Sequence, residues 1–306
     1  MDLKPLPYCY FNSQITELES AKISIMTHAL QYATACFEGV RGYYQDGKIH
    51  LVKLREHQER LKNSEKILKM ETPESVDQQM EIIVDLVKRN QPKSGIYVRP
   101  FTYMSDEQIV PRLYDLTPKF ACYMFEMGDY LDMSRGMTLM VSSWRKVSDD
   151  AMPTHTKASA IYLNAALAKT EAHENGCDDA IVLNSNGKVA EGSANNIFLV
   201  SGEKLITPDL SQNGLQGITR LCAIEIARDL GIEIIERGVD RSELYIADGV
   251  FLTGTAAQVA WVEKIDGRLI GSGQIHPLAA KIKDIYFAAV TGQEKKYQNW
   301  LTIVDV

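Results

Sequence analysis

Four short segments in the second half of the chain carry residue types that could together serve one covalent cofactor. They are Thr156-Lys157-Ala158-Ser159, Glu191-Gly192-Ser193-Ala194-Asn195-Asn196, Gly217-Ile218-Thr219-Arg220 and Gly254-Thr255-Ala256-Ala257. Singly each is ordinary: a lone lysine is mostly solvated, and glycine or threonine before a helix is a good cap. Together they meet the separate needs of one chemistry. An aldehyde requires a lysine amine partly deprotonated by desolvation or by neighbouring charge, and Lys157 supplies the amine. A pyridine ring that withdraws electrons works best with its nitrogen protonated, and a buried carboxylate such as Glu191 favours that charge. A phosphate requires backbone N–H donors, which a helix start at Gly217, Ile218 and Thr219 would provide together with a favourable dipole. Thr255 could add a hydroxyl donor, and Tyr162 could hydrogen-bond a ring hydroxyl.

These segments need a scaffold, and the sequence describes one. Tyr43-Tyr44 and Ile49–Val52 flank Asp46-Gly47, a hairpin signal. Arg55–Lys69 reads as an amphipathic helix with Leu61, Ile67 and Leu68 among its apolar positions. Ser75 can cap a second helix whose stripe includes Met80, Ile83, Val84 and Val87. Ile96–Tyr103 and Phe120–Phe125 read as strands. Charge and turn residues between Glu126 and Gly136 mark an interdomain linker. Beyond it come a strand at Met137–Trp144, a helix from Ala158 to Asn175, and strands Ala180–Leu183 and Ile197–Val200 about a turn at Asn186-Gly187. A helix from Gly217 to Gly231, strands Ile232–Glu236 and Gly249–Thr253, and a last helix after Pro277 complete the reading. This order predicts two α+β domains and not one doubly wound parallel sheet. The boundaries expected are 1–125 for a smaller N-terminal domain, 126–136 for the linker and 137–306 for a larger C-terminal domain.

Bulk properties exclude other classes. The 306 residues are 45% hydrophobic and 24% charged, with a formal net charge of -7, an ordinary balance for a globular protein without a basic stripe for nucleic acid. No apolar run reads as a signal peptide or is long enough to span a bilayer. The five cysteines are scattered and form no CxxC pair, which predicts free thiols in a reducing cytoplasm. The six histidines do not cluster with them, so no metal site is expected.

The sequence resembles the branched-chain aminotransferases, fold-type IV pyridoxal-phosphate enzymes, along essentially its whole length. In the first half the likeness rests on His28-Ala29-Leu30-Gln31-Tyr32, Phe37-Glu38-Gly39-Val40-Arg41, Arg55-Glu56-His57 with Arg60-Leu61, and Tyr97-Val98-Arg99-Pro100. In the second half it rests on Val141-Ser142-Ser143-Trp144, Tyr162-Leu163-Asn164 and the four segments above. The resemblance implies two α+β domains, the second pseudo-barrel-like, with the active site between them. It implies pyridoxal 5'-phosphate bound covalently to Lys157, the catalytic lysine that also moves the proton. Glu191 would pair with the pyridine nitrogen and Tyr162 with the ring hydroxyl. Arg60, the N–H groups at Gly217, Ile218 and Thr219, and Thr255 would hold the phosphate. The turn Thr255-Ala256-Ala257, with Tyr97, would receive the substrate α-carboxylate. Phe37, Tyr130 and Trp144 would wall an apolar pocket, and Arg99 would meet the distal carboxylate of glutamate. Tyr32 would reach a neighbouring subunit, making a dimer the smallest functional unit and leaving a hexamer, a trimer of dimers, open.

The activity implied is transamination of L-leucine, L-isoleucine and L-valine with 2-oxoglutarate by a ping-pong mechanism. Two departures from the family bear on substrate. The loop Met104–Leu113 lacks the family's glycines and carries Arg112, either a solvated charge or a carboxylate ligand. Asn195 stands where many branched-chain enzymes have glutamate, and the Ser-Ala-Asn-Asn run resembles D-amino-acid and R-amine transaminases of the same fold. Those activities, and aminodeoxychorismate lyase, are the alternatives, beside a non-catalytic protein that keeps the fold.

Overall fold

Two α+β units organise the chain, and the computed structural model describes residues 4–128 and 135–306. The first unit comprises the chain up to Gly128, the short segment Thr156–Ala160 and the tail Ala288–Val306. The second comprises Asp129–His155 and Ile161–Phe287. Residues 129–134 of the expected linker, Tyr130 among them, lie outside the described residues.

The first unit is built on a nine-stranded sheet whose pairings are all antiparallel. The expected hairpin joins Val40–Gln45 to Lys48–Val52. Asp46 and Gly47 both take positive φ, 48° and 78°, as a primed two-residue turn requires. Antiparallel strands alternate their side chains between faces. Along Ile96–Met104, Ile96 and Val98 enter the apolar core, while Tyr97, Arg99 and Phe101 point the other way.

Two helices cover the core face. Leu54–Ile67 buries Leu54, His57, Gln58, Leu61, Ser64 and Glu65, one stripe at helical spacing. Four of these six, His57, Gln58, Ser64 and Glu65, are polar, so the stripe cannot be only a packing surface. Ile67, expected on the apolar stripe, is 48% exposed, because it falls a residue outside this period. Val76–Asn90 carries the predicted cap: Ser75 Oγ accepts from the Gln78 N–H, and Gln78 Oε1 accepts from the Ser75 N–H.

The second unit holds a mixed nine-stranded sheet. Met137–Arg145 pairs in parallel with Asp179–Leu183 and with Gln258–Ile265. Its core includes Leu139, Ile181, Ile197, Leu199, Val250, Leu252 and Ile265. The helices Ile161–Glu174 and Ile218–Asp229 belong to this unit. The Asn186-Gly187 turn does not lead to the strand at Ile197. It joins Asp179–Leu183 to Val189–Gly192, a strand the periodicity does not reveal, because all four of its residues are buried and no alternation survives. The helix expected from Ala158 begins at Ile161 instead. Lys157, Ala158 and Ser159 pair with the strand Ala35–Phe37: the Phe37 N–H donates to the Lys157 carbonyl at 3.1 Å, and the Ser159 N–H to the Ala35 carbonyl at 2.8 Å. Those backbone groups are committed to a ladder and cannot start a helix.

Candidate active site

In the first unit Lys157 is fixed by its backbone. Its carbonyl is held by Phe37, and its N–H donates to Ser64 Oγ at 3.1 Å. Ser64 sits on the polar stripe of the helix Leu54–Ile67. The amine lies 5.3 Å from the centroid of the Phe37 ring. Burial pulls the amine's pKa down to about 8, the Arg60 charge adds to the effect, and the Glu38 carboxylate opposes it. Near neutral pH a useful fraction of Nζ therefore carries a lone pair.

Arg60, Glu38 and His57 form a buried ionic cluster in this unit. Arg60 Nε donates to Glu38 Oε1 at 2.6 Å and Nη2 to Glu38 Oε2 at 2.8 Å, a two-point clamp. His57 Nδ1 lies 2.7 Å from Glu38 Oε2. The carboxylate only accepts, so Nδ1 bears the proton. Burial raises the Glu38 pKa, but Arg60 and His57 outweigh it and hold the carboxyl well below its usual range. Burial lowers the His57 pKa, against the pull of Glu38, so His57 is neutral at physiological pH.

The strand face opposite the core forms an aromatic wall. Tyr97 stacks on Phe125 at 5.3 Å, and Phe101 meets Tyr123 edge-on at 6.2 Å. The Arg99 guanidinium stands 4.4 Å from the Phe37 ring and 5.2 Å from the Tyr97 ring. Its Nη2 is 3.4 Å from the Tyr97 hydroxyl. Arg99 Nε is buried without a hydrogen-bond partner among the described residues. Gly39 makes this arrangement possible, because a Cβ there would lie 1.7 Å from the Tyr97 hydroxyl oxygen. The Gln108–Leu113 loop is tied to the helix His28–Tyr32. His28 Nε2 lies 2.9 Å from the Val110 carbonyl, and the Tyr32 hydroxyl donates to the Ile109 carbonyl at 2.5 Å. Arg112 donates to Gln108 at 2.7 Å and stands 5.1 Å from the Tyr114 ring.

In the second unit Glu191 is fixed from three directions. Lys146 Nζ donates to Oε1 at 2.5 Å, the Leu215 N–H donates to Oε2 at 3.1 Å, and Asn196 Nδ2 to Oε2 at 3.3 Å. The same Asn196 amide donates to the Leu215 carbonyl at 2.8 Å. Just beyond lies Gly217, which caps the helix Ile218–Asp229 without a side chain. Its first N–H groups thus receive no acceptor from a capping residue, the condition for binding an anion there. A Cβ on Gly217 would lie 1.9 Å from Asn196 Oδ1. Arg220 is turned to structural use, its Nη2 donating to Glu236 at 2.7 Å and to the Pro208 carbonyl at 3.1 Å. The strand pairing Asn196↔Thr253 sets the turn at Thr255, Ala256 and Ala257 beside the Glu191 segment. Asn195 donates to the buried Asp179 at 3.1 Å, and the Gly192 N–H donates to its carbonyl at 2.6 Å. Tyr162 lies in the first turn of its helix. Trp144, at the end of its strand, is 45% exposed, which removes it from the core.

A family model for amino-transferase class IV matches residues 35–265. The chain belongs to the class IV aminotransferases. A probable branched-chain-amino-acid aminotransferase of Aquifex aeolicus is 43% identical over 302 residues, covering 98% of this chain and 97% of that one. The crystal structure of a branched-chain aminotransferase from Thermoproteus uzoniensis with norvaline superposes with a TM-score of 0.94 at 38% identity, covering 99% of each chain. That of the branched-chain amino acid aminotransferase from Thermobaculum terrenum in its PLP form gives 0.94 at 34% identity, over 99% of this chain and 100% of that one. The fold of this class IV chain is accordingly the α+β, two-domain fold type IV.

Glu38, His57, Lys146 and Asn196 take part in these clusters although residue types and spacing gave them no role. Glu38 and His57 stood inside quoted motifs, so a signal existed. Asn196 likewise closes the quoted Glu191 segment, whereas Lys146 becomes visible only through sheet pairing.

Proposed function

We propose that this chain is a pyridoxal-phosphate aminotransferase that exchanges amino groups between L-leucine, L-isoleucine or L-valine and 2-oxoglutarate in two alternating half-reactions. The products are the branched 2-oxo acid and L-glutamate. Family membership and the near-full-length likeness to branched-chain aminotransferases support it. The observation that carries it is Arg99, a guanidinium against the Phe37 ring with a buried Nε that lacks a partner among the described residues. An apolar wall beside a cation with one unpaired N–H suits an aliphatic side chain in one half-reaction and a carboxylate in the other. An apolar pocket alone would exclude the carboxylate by several kcal/mol.

The residues fit pyridoxal 5'-phosphate. Lys157 is a lysine held close to its neutral form, Glu191 is a carboxylate fixed by three donors, and Gly217 opens a helix without a side-chain cap. When bound, this group supplies an aldehyde that takes up the amino group and a ring that withdraws electrons. Lys157 would hold it through Nζ, and once the substrate amine has displaced Nζ from the aldehyde carbon, the freed amine, its pKa lowered to about 8, would accept the proton from the substrate α-carbon. Glu191 takes the ring nitrogen and Tyr162 the ring hydroxyl. Arg60, Gly217, Ile218, Thr219 and Thr255 take the phosphate. Tyr97, Ala256 and Ala257 orient the α-carboxylate, Phe37, Tyr130 and Trp144 wall the side-chain pocket, and Arg99 receives the distal carboxylate.

The working unit is a homodimer in which Tyr32 serves the neighbouring subunit. Support comes from the apolar surface around it: Ile25 is 82% exposed, Leu30 62%, Ile109 74% and Tyr114 66%. The cytoplasm is the compartment, supported by free thiols at Cys9, Cys36, Cys122, Cys177 and Cys222. Among the described residues no helix is long and apolar enough to cross a membrane.

The test is a donor panel with 2-oxoglutarate. L-leucine should yield glutamate, whereas D-alanine and R-1-phenylethylamine should not. Activity confined to the D or R donors would overturn the substrate assignment, and pyruvate release without any acceptor would indicate a lyase. Borohydride reduction of the loaded enzyme should leave the label on Lys157.

A further inference from the structure

The cluster around Glu38 has a geometry that the charge of a single arginine does not require. Glu38 is wholly buried. It occupies the Nε and Nη2 edge of Arg60 with both carboxylate oxygens, at 2.6 and 2.8 Å. A planar guanidinium held along one edge has its plane and direction fixed, so its remaining N–H donors point away from that edge. His57 donates to the same carboxylate from the buried stripe of the helix that carries Arg60. Glu38 is thereby fixed in turn and cannot swing to follow a moving arginine. A lysine at position 60 could balance the charge but could not be aimed in this way.

We propose that Glu38, braced by His57, is a positioning residue that aims the Arg60 guanidinium at the cofactor phosphate. It touches neither the cofactor nor the substrate and acts only through Arg60. The inference rests on the reading of Arg60 as a phosphate ligand. Its physical logic is pre-organisation: a long flexible side chain that is already ordered loses less freedom when the anion arrives. Glu38 also neutralises Arg60, which otherwise would add its full charge to the environment of Lys157.

The experiment compares binding of pyridoxal 5'-phosphate with binding of phosphate-free pyridoxal to the full-length apoprotein, followed by absorbance. The quantity read is the ratio of the two dissociation constants. Arg60→Met should cut this preference by at least about tenfold, the size expected for one charge-assisted contact. Glu38→Gln should cut it comparably while pyridoxal affinity stays within about twofold, and adding Glu38→Gln to Arg60→Met should change it no further. Glu38→Asp separates aim from charge, because it keeps the carboxylate but is too short for the two-point clamp. It should lose preference nearly as Glu38→Gln does. A wild-type preference in both Glu38 variants would overturn the inference, as would a parallel loss of both ligands. If Arg60→Met itself keeps the wild-type preference, the reading of Arg60 is what fails. Should Glu38→Gln not fold, as judged by circular dichroism, Glu38→Asp and His57→Gln carry the comparison, the latter with a smaller loss.

Discussion

The cluster around Lys157 in the first unit and the cluster around Glu191 in the second are built on different principles. The first relies on side-chain charge in a buried setting. Arg60 and its neighbours shift the proton affinities of Glu38, His57 and Lys157, which all titrate away from their ordinary values. The second adds backbone donors and close packing to a single ion pair, Lys146 with Glu191. Glu191 takes one of its hydrogen bonds from a main-chain N–H, and the helix start beside it depends on the missing Cβ of Gly217. The contrast has a chemical reason. A group that must lose and regain a proton needs an environment balanced between its two states. A group that must hold a fixed charge or a phosphate is served better by donors that cannot move.

The largest effect that could break this comparison is at Lys157. Lys157→Ala should remove the borohydride-stable adduct and reduce turnover by at least about a thousandfold, the scale of a lost nucleophile and proton carrier. Turnover near the wild-type level would end the claim that the first cluster is the reactive one.

Replacing Glu191 by Gln should come next, with a loss of about thirtyfold, as expected when a charge-assisted hydrogen bond of about 3 kcal/mol becomes a neutral one of about 1 kcal/mol. Loaded protein should also show an altered cofactor absorption spectrum. A smaller, more selective effect is expected for Arg99→Met. Its kcat/KM for glutamate should fall by about twentyfold while that for leucine stays within about threefold. Equal losses on both substrates would assign Arg99 to the scaffold.

The acidity of Lys157 gives a sharper test of the balanced environment. Its pKa is lowered to about 8, so the neutral form is scarce below that pH and dominant above it. The rate at which the apoprotein captures phosphate-free pyridoxal should climb about tenfold per pH unit below 8 and level off above it. A profile still climbing at pH 10 would mean an unperturbed lysine. In the second unit Gly217→Ala should lower stability by about 1–3 kcal/mol, because the new Cβ displaces Asn196. A thermal melt would read it, and an unchanged melting temperature would show that Asn196 yields freely. The smallest effect is expected for Trp144→Ala: within about 0.5 kcal/mol on stability, since the ring is 45% exposed, but with a raised KM for leucine.

The amino-acid sequence by itself determined the local elements and the identities of the principal chemical groups. The capping box at Ser75, the Asp46-Gly47 turn and the helix after Gly217 follow from short-range stereochemistry, which needs no distant partner. Lys157, Glu191 and Arg99 were legible because their motifs occur in a recognisable order. What the tertiary structure decided is who accompanies them. Lys157 groups with the first unit although it lies far along the chain, because its backbone pairs with Ala35–Phe37. The strand Val189–Gly192 is buried on both faces and leaves no periodic signal. Lys146 and Glu191 are 45 residues apart and meet only through sheet register. Glu38 and Arg60 are 22 apart, the first between the strands Ala35–Phe37 and Val40–Gln45 and the second on a helix. Proton affinity depends on burial and on charges a few ångströms away, and neither quantity is written in the spacing of residues along a chain.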